Sequence, residues 1–150
     1  MIALDTNVLV YAHRREVEHH DAAKSLVTEY AEGGAQWAIP WPCIYEFYSV
    51  VTNPRIWKES ASTPKQASRQ IRGWLDSPTV RMLSETAEFF TVVGPLMNLP
   101  RVRGAIIHDA RVAALCLAHG IDELLTADRD FQLFPGLKTR NPFPLLSAEW

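Results

Sequence analysis

The chain has 150 residues, of which 47% are hydrophobic and 21% are charged, which predicts one folded domain over residues 1–150 and excludes a disordered segment. Its formal net charge of −2 excludes a domain that binds nucleic acid through overall positive charge, but it allows a local basic surface. No apolar run reaches the roughly 18 residues that cross a membrane, no signal peptide is visible, and Cys43 and Cys116 lack metal-ligand spacing, so the sequence predicts a cytoplasmic protein with reduced core thiols.

The first predicted element is a strand over residues 2–4, an unbroken apolar run typical of a strand covered on both faces. Asp5 follows where that strand ends, and ligand sites in open α/β sheets gather at such ends. A helix is predicted next, over residues 8–13. Taken alone, Asp5-Thr6-Asn7 favours a local turn in which Asp5 caps that helix. Other acids reaching the same place would favour a site instead.

The rest of the chain alternates between helical and strand-like segments. Up to residue 83 we predict a helix over 22–32 capped by Asp21, a strand over 36–40, a helix over 43–51, a loop over 56–62, a helix beginning at Thr63-Pro64 and a strand over 80–83. Beyond it we predict a helix over 85–97 capped by Ser84, a loop over 100–104, a helix over 105–119, a strand over 123–126 and an edge strand near 137–139. This alternation predicts a three-layer α/β fold with a mainly parallel sheet.

Four carboxylates have apolar neighbours in the sequence. Asp5 and Asp128 follow predicted strands, while Glu46 and Asp109 lie in predicted helices. Each has an ordinary explanation, such as a helix edge, a helix N-terminus or a turn. Charged groups are rarely buried without a partner, however, so the four together favour a shared acidic pocket.

Such a pocket restricts the chemistry. Several carboxylates cannot ionise together without a cation. Oxygen ligands without clustered cysteines or paired histidines select Mg²⁺ or Mn²⁺ over Zn²⁺. These ions orient water and phosphate oxygens, so the pattern indicates metal-assisted phosphodiester hydrolysis.

Four segments carry a resemblance to a known family. They are Leu4-Asp5-Thr6-Asn7-Val8-Leu9-Val10-Tyr11-Ala12, Tyr45-Glu46-Phe47, His108-Asp109-Ala110-Arg111-Val112-Ala113-Ala114 and Leu125-Thr126-Ala127-Asp128-Arg129-Asp130-Phe131. In this order they resemble the PIN-domain ribonucleases, above all the VapC toxins of bacterial toxin–antitoxin pairs, over essentially the whole chain. The resemblance implies a compact PIN-like α/β/α domain and Mg²⁺- or Mn²⁺-dependent RNA cleavage that leaves a 5′-phosphate. It also implies a cognate antitoxin whose C-terminal segment occupies the active groove, and a homodimer.

The resemblance also implies roles for individual residues. Asp5, Glu46, Asp109 and Asp128 would form the acidic quartet. The metal would be held mainly by Asp5 and Asp109, while Asp128 and Glu46 complete its shell or position the attacking water. Thr6 or Asn7, and Thr126, would orient the quartet. Candidates for contact with the RNA backbone are Arg14, Arg15, Arg101, Arg103 and Arg129, although plain solvated surface explains any one of these arginines equally well. We assign the neighbouring Asp130 to structure, as the N-cap of a short turn.

Two other functions fit part of the pattern. A phosphatase of the haloacid dehalogenase type also begins with an aspartate after the first strand, but its second acid would fall at Asn7, which cannot act as a general acid. A PIN-like module that binds RNA or protein without cleavage is disfavoured by the complete quartet.

Overall fold

The computed structural model describes residues 1–143. Within them the sheet has five strands, all paired in parallel, in the order β3-β2-β1-β4-β5. The strands are β1 Ile2–Leu4, β2 Trp37–Pro40, β3 Val80–Leu83, β4 Glu123–Leu125 and β5 Thr139–Arg140. The predicted parallel α/β sheet is therefore confirmed, with β5 shifted by one to two residues from its predicted position.

Seven α-helices connect these strands in the described part of the chain. They are α1 Thr6–His13, α2 His20–Glu32, α3 Trp41–Val51, α4 Pro54–Trp57, α5 Pro64–Leu75, α6 Phe89–Met97 and α7 Ile106–Ala118. Parallel crossovers are nearly always right-handed, which with this strand order puts α1 to α5 on one face of the sheet and α6 and α7 on the other. The packing of α1 on α2 and α3, of α3 on α5, and of α6 on α7 agrees with this arrangement. The resulting three layers confirm the predicted architecture.

The central strand explains where a site can form. From β1 the chain moves outward to β2 and β3, and it then returns to place β4 on the other side of β1. The crevice between the carboxyl ends of β1 and β4 is therefore a topological switch point, where ligands bind in open α/β sheets. The residues that follow these two strands are Asp5 and Thr126.

The core is apolar on both sides of the sheet, as the continuous apolar strands predict. Leu4, Trp37 and Leu125 are fully buried. On the face of α1 to α5, the Phe47 and Trp74 rings meet edge to face with centroids 4.8 Å apart. Cys43 and Cys116 are buried free thiols, which confirms their predicted place in the core. Among the described residues, no helix has the length and apolarity to cross a membrane.

Four predicted helix starts are wrong. Helix α3, predicted from residue 43, begins at Trp41. Helix α1 begins at Thr6, and α2 begins at His20, ahead of Asp21, because the His20 imidazole contacts the Tyr11 carbonyl oxygen at 2.8 Å. Helix α6 begins only at Phe89. Ser84, its predicted cap, instead offers its carbonyl oxygen to the His119 imidazole at 2.9 Å, and Glu85 pairs with Arg111.

The predicted loop over residues 56–62 is also partly wrong, because its first residues belong to α4 and a 3₁₀ turn, Lys58–Ser60. Asn53 caps α4 by accepting from the Arg55 amide at 2.9 Å, and Pro54 is its first residue. Asn-Pro ends one helix here and begins the next. The predicted start of α5 is confirmed, since Thr63 and Gln66 form a reciprocal capping box.

Candidate active site

Asp5 lies at the carboxyl end of β1 and is only 5% exposed. Its carboxylate does not cap α1, so the capping explanation of this residue is wrong. The carboxylate instead reaches across to the end of β4, where its Oδ2 accepts from the Thr126 hydroxyl at 2.8 Å. It also accepts from the Asn7 amide at 3.2 Å. These bonds hold a buried carboxylate in one orientation.

Asn7 and Thr126 join the ends of the two strands into one polar network. The Asn7 side-chain amide donates to Thr126 Oγ1 at 3.1 Å, and Asn7 Oδ1 accepts from the Ala127 amide at 3.0 Å. Thr126 Oγ1 also accepts from the Asp128 amide at 3.0 Å. The network therefore fixes both Asp5 and the backbone that carries Asp128. Asn7 acts here as an amide, which is incompatible with the general acid of a haloacid dehalogenase-type phosphatase.

Two residues of α3 face the same place. The Thr6 hydroxyl donates to Glu46 Oε2 at 3.0 Å and leaves the other oxygen of this exposed carboxylate without that bond. Cys43 lies one helical turn earlier, and its thiol donates to Asp5 Oδ1 at 3.6 Å. Burial raises the pKa of Cys43 well above its ordinary value, so the sulfur stays protonated. The sequence did not predict this contact, although Cys43 and Glu46 have the i, i+3 spacing of one helix face.

Three carboxylates form the open part of the site. Asp109, in the first turn of α7, and Asp128 and Asp130, after β4, each place one oxygen within 4.8 Å of the others. Burial raises the pKa of Asp109 to about 6, and the negative charges of Asp128, Asp5, Glu46 and Asp130 add to this effect. The structure therefore brings the four predicted acids and Asp130 into one electrostatic cluster.

The pKa of Asp5 is also raised to about 6, chiefly by burial, while the hydrogen bond from Thr126 opposes the shift. No lysine, arginine or histidine of residues 1–143 lies within ion-pair distance of these five acids. An all-oxygen donor set with crowded, uncompensated charge fits a hard divalent cation.

The assignment of the turn cap to Asp130 is wrong. The 3₁₀ turn Arg129–Leu133 is capped by Asp128, whose Oδ1 accepts from the Asp130 amide at 2.8 Å. An aspartate commonly bonds the backbone two residues ahead of itself, and the network at Thr126 holds Asp128 in place to do so. Asp130 is exposed and contributes its carboxylate to the cluster.

The predicted arginines divide into two groups. Arg14 is only 6% exposed, stacks on Trp57 and donates to the Ser60 carbonyl oxygen at 2.9 Å. Its guanidinium is therefore held mostly inside the protein and not on an open surface, and its contact with RNA remains a prediction. The others are exposed: Arg15, Arg101, Arg103 and Arg129. Arg111, two residues after Asp109, pairs with Glu85.

Comparison with known proteins agrees with this geometry. Residues 2–137 match the PIN domain family. The ribonuclease VapC48 of Mycobacterium tuberculosis is 33% identical over 139 residues, which cover 93% of this chain and 95% of that protein. The chain therefore belongs to the PIN-domain family and, within it, to the VapC ribonuclease toxins of toxin–antitoxin pairs.

Solved structures show the same fold. VapC20 of Mycobacterium tuberculosis, described as a sarcin–ricin loop cleaving toxin, aligns with a TM-score of 0.65 at 18% identity, over 88% of this chain and 93% of that chain. A chain of VapBC2 from Rickettsia felis, solved with a promoter DNA fragment, aligns with a TM-score of 0.63 at 20% identity, over 94% and 98%. At these identities the similarity concerns the fold alone.

Proposed function

We propose that this ribonuclease is an endonuclease that depends on Mg²⁺ or Mn²⁺, cleaves RNA by attack of water on a phosphodiester, and leaves a 5′-phosphate. The observation that carries the proposal is the convergence of five carboxylates, with raised pKa values at Asp5 and Asp109, on the switch point of the sheet. RNA is found in the cytoplasm, where we expect the protein to act.

The residues of the cluster have different proposed roles, which follow from their surroundings. Asp5, Asp109 and Asp128 are the residues that would hold the cation, and Thr126 and Asn7 keep Asp5 oriented towards it. A bound divalent cation offsets negative charge on the reacting phosphate and helps to activate water. Glu46, with one oxygen held by Thr6, can orient the attacking water with the other. Asp130 can join the ligands or hold water at the rim.

The direct test is an assay of purified protein on single-stranded RNA. We expect cleavage with Mg²⁺ or Mn²⁺, none in EDTA, and recovery when the cation is restored. Asp5→Asn and Asp109→Asn should be inactive while folded, and Arg72→Ala, a surface change on α5, is the matched control. RNA binding without cleavage under all metal conditions would support a binding module and would sink the nuclease proposal.

The same cluster supports a proposal about the partner. We expect a small antitoxin encoded alongside to insert an arginine or another basic side chain among these acids, because crowded carboxylates attract a bidentate guanidinium. Combining Asp5→Asn with Asp109→Asn should weaken that complex, which calorimetry measures. Unchanged affinity would show that the antitoxin contacts another surface.

We also expect the protein to form a homodimer, and light scattering measures its mass in solution.

A further inference from the structure

A second charged feature lies at the other end of α1 from the acids. It is a cleft of about 870 Å³ between the end of α1, the start of α2 and the start of α5. We call it the basic cleft. Its lining includes Arg14, Arg15, Lys24 and Arg69, against one carboxylate, Glu16. Four cations facing one acid make this a strongly positive surface in a chain whose net charge is −2.

The floor of the basic cleft is rigid. The Arg14 guanidinium lies 4.0 Å from the centroid of the Trp57 ring and donates to Ser62 Oγ at 3.2 Å. The His13 imidazole contacts Ser62 Oγ at 2.8 Å and Gln70 Oε1 at 3.1 Å. Burial of an arginine is costly unless it is well paired. Arg14 pairs with half-exposed Glu16, so the net positive charge of the cleft comes from Arg15, Lys24 and Arg69.

The rim carries cations that are free to bind a ligand. Arg15, Lys24 and Arg69 are exposed, and none of them has an ion-pair partner within residues 1–143. The first turn of α5 also reaches the cleft through Gln66, and the positive end of a helix dipole favours an anion there. The groups that face the cleft thus suit a phosphate that arrives from solvent.

We propose that the basic cleft binds a phosphate of the RNA backbone away from the bond that is cut. This inference rests on the proposed function, because it takes RNA as the substrate. Helix α1 joins the two features. Asp5 immediately precedes it, Arg14 immediately follows it, and its eight residues span about 12 Å. One strand of RNA is long enough to lie on both, with the cut at the acidic end and an anchor at the basic end.

Lys24→Ala combined with Arg69→Ala tests the proposal. The matched control is Lys65→Ala with Arg72→Ala, which removes one lysine and one arginine, both exposed and neither lining the cleft. Affinity for single-stranded RNA is measured in EDTA, where no cleavage is expected. At moderate salt the cleft variant should bind RNA about tenfold more weakly than the control variant. The negative slope of log K against log salt should be shallower in the cleft variant by about 1 to 2.

Equal affinities of the two double variants would overturn the proposal, because the cleft cations would then act only through net charge. Stabilisation of the wild type by inorganic phosphate, with RNA affinity unchanged in the cleft variant, would identify a small-anion site and contradict it. Loss of antitoxin binding without loss of RNA binding would identify a protein interface and contradict it too. Wild type that binds RNA through the cleft but never cuts it would leave this inference standing and refute the nuclease proposal.

Discussion

The Asp5 carboxylate is negatively charged in a place that almost no water reaches. The free energy needed to bury this charge raises the pKa of Asp5 to about 6. A carboxyl group whose pKa is higher in the folded than in the unfolded protein destabilises the fold at neutral pH, and the penalty disappears as pH falls from the folded towards the unfolded pKa. For Asp5 that window runs from about 6 down towards the ordinary value of 3.8.

We therefore predict that Asp5→Asn, without metal, unfolds with a free energy at pH 7 higher than that of the wild type by up to about 3 kcal/mol. The gap should narrow at pH 5. Burial lowers the pKa of His13, so the folded protein also loses stability as pH falls and this histidine takes up a proton. That loss is the same in both proteins and cancels when they are compared. Chemical denaturation at three pH values measures the gap, and a less stable mutant would contradict the account.

Asp128 caps the turn after β4, a role that the sequence assigned to Asp130, and we propose that it also holds the cation. Asp128→Ala should lose RNA cleavage and also about 1 kcal/mol of unfolding free energy, because a helix cap is removed. Asp128→Asn is the control, since asparagine also caps; it should lose activity but keep stability. Asp130→Ala should keep its stability. Turnover and thermal unfolding of the three variants decide the assignment, and an unstable Asp130→Ala would reverse it.

At the scale of elements, one hydroxyl ties β4 to the end of β1. The Thr126 hydroxyl donates to Asp5 and accepts from the Asn7 side-chain amide and the Asp128 backbone amide. Thr126→Val keeps the shape but leaves these groups unpaired, so we predict a loss of about 2 kcal/mol and a further rise in the Asp5 pKa. Thr126→Ser should restore both values. Chemical denaturation measures the unfolding free energy, and NMR titration measures the Asp5 pKa. If Thr126→Val changed neither value, a water molecule would be replacing the hydroxyl.

The elements that sequence reasoning predicted well are those with a strong local signal. The apolar run at residues 2–4 and the mainly apolar segment at residues 80–83 predicted strands because both are too short for a helix and are followed by turn residues. Thr63-Pro64 predicted a helix start because threonine caps a helix and proline suits its first position. The starts of α2 and α6 were missed because distant groups decide them. His20 is held by the Tyr11 carbonyl oxygen, and Ser84 by His119.

The site shows the same division. The quartet was predictable because carboxylates at strand ends and in apolar helices are unusual, and their order matches a known family. The cap at Asp128, the contact of Cys43 with Asp5 and the burial of Arg14 were not predictable. Each depends on which residues from other elements lie beside it, and local spacing in the sequence does not contain that information.

At the scale of the whole molecule, charge is separated along α1, with acids at its start and the basic cleft at its end. Such a separation suits a polyanion that must approach a cluster of carboxylates. Under the two proposals the cleft attracts the RNA backbone, whereas the acids repel it until a cation is bound. We therefore predict that Mn²⁺ strengthens RNA binding by Glu46→Gln, a variant we expect to bind the cation but to cut slowly. Anisotropy measures this, and binding that weakens with Mn²⁺ would contradict it.

A cation that binds only the folded protein must also raise its stability. We predict that millimolar Mn²⁺ raises the melting temperature of the wild type by several degrees and leaves that of the double variant Asp5→Asn/Asp109→Asn unchanged. Differential scanning fluorimetry measures both. An equal rise in the two proteins would place the cation outside the cluster.

The measurement that tests the central claim most directly is the rate of cleavage of single-stranded RNA as Mn²⁺ is added to metal-free protein. The account predicts no cleavage without the ion, a saturable rise for the wild type, and no rise for Asp109→Asn at any concentration. Full cleavage in chelator, or a normal rise in Asp109→Asn, would contradict the claim that these carboxylates form a metal-dependent nuclease site.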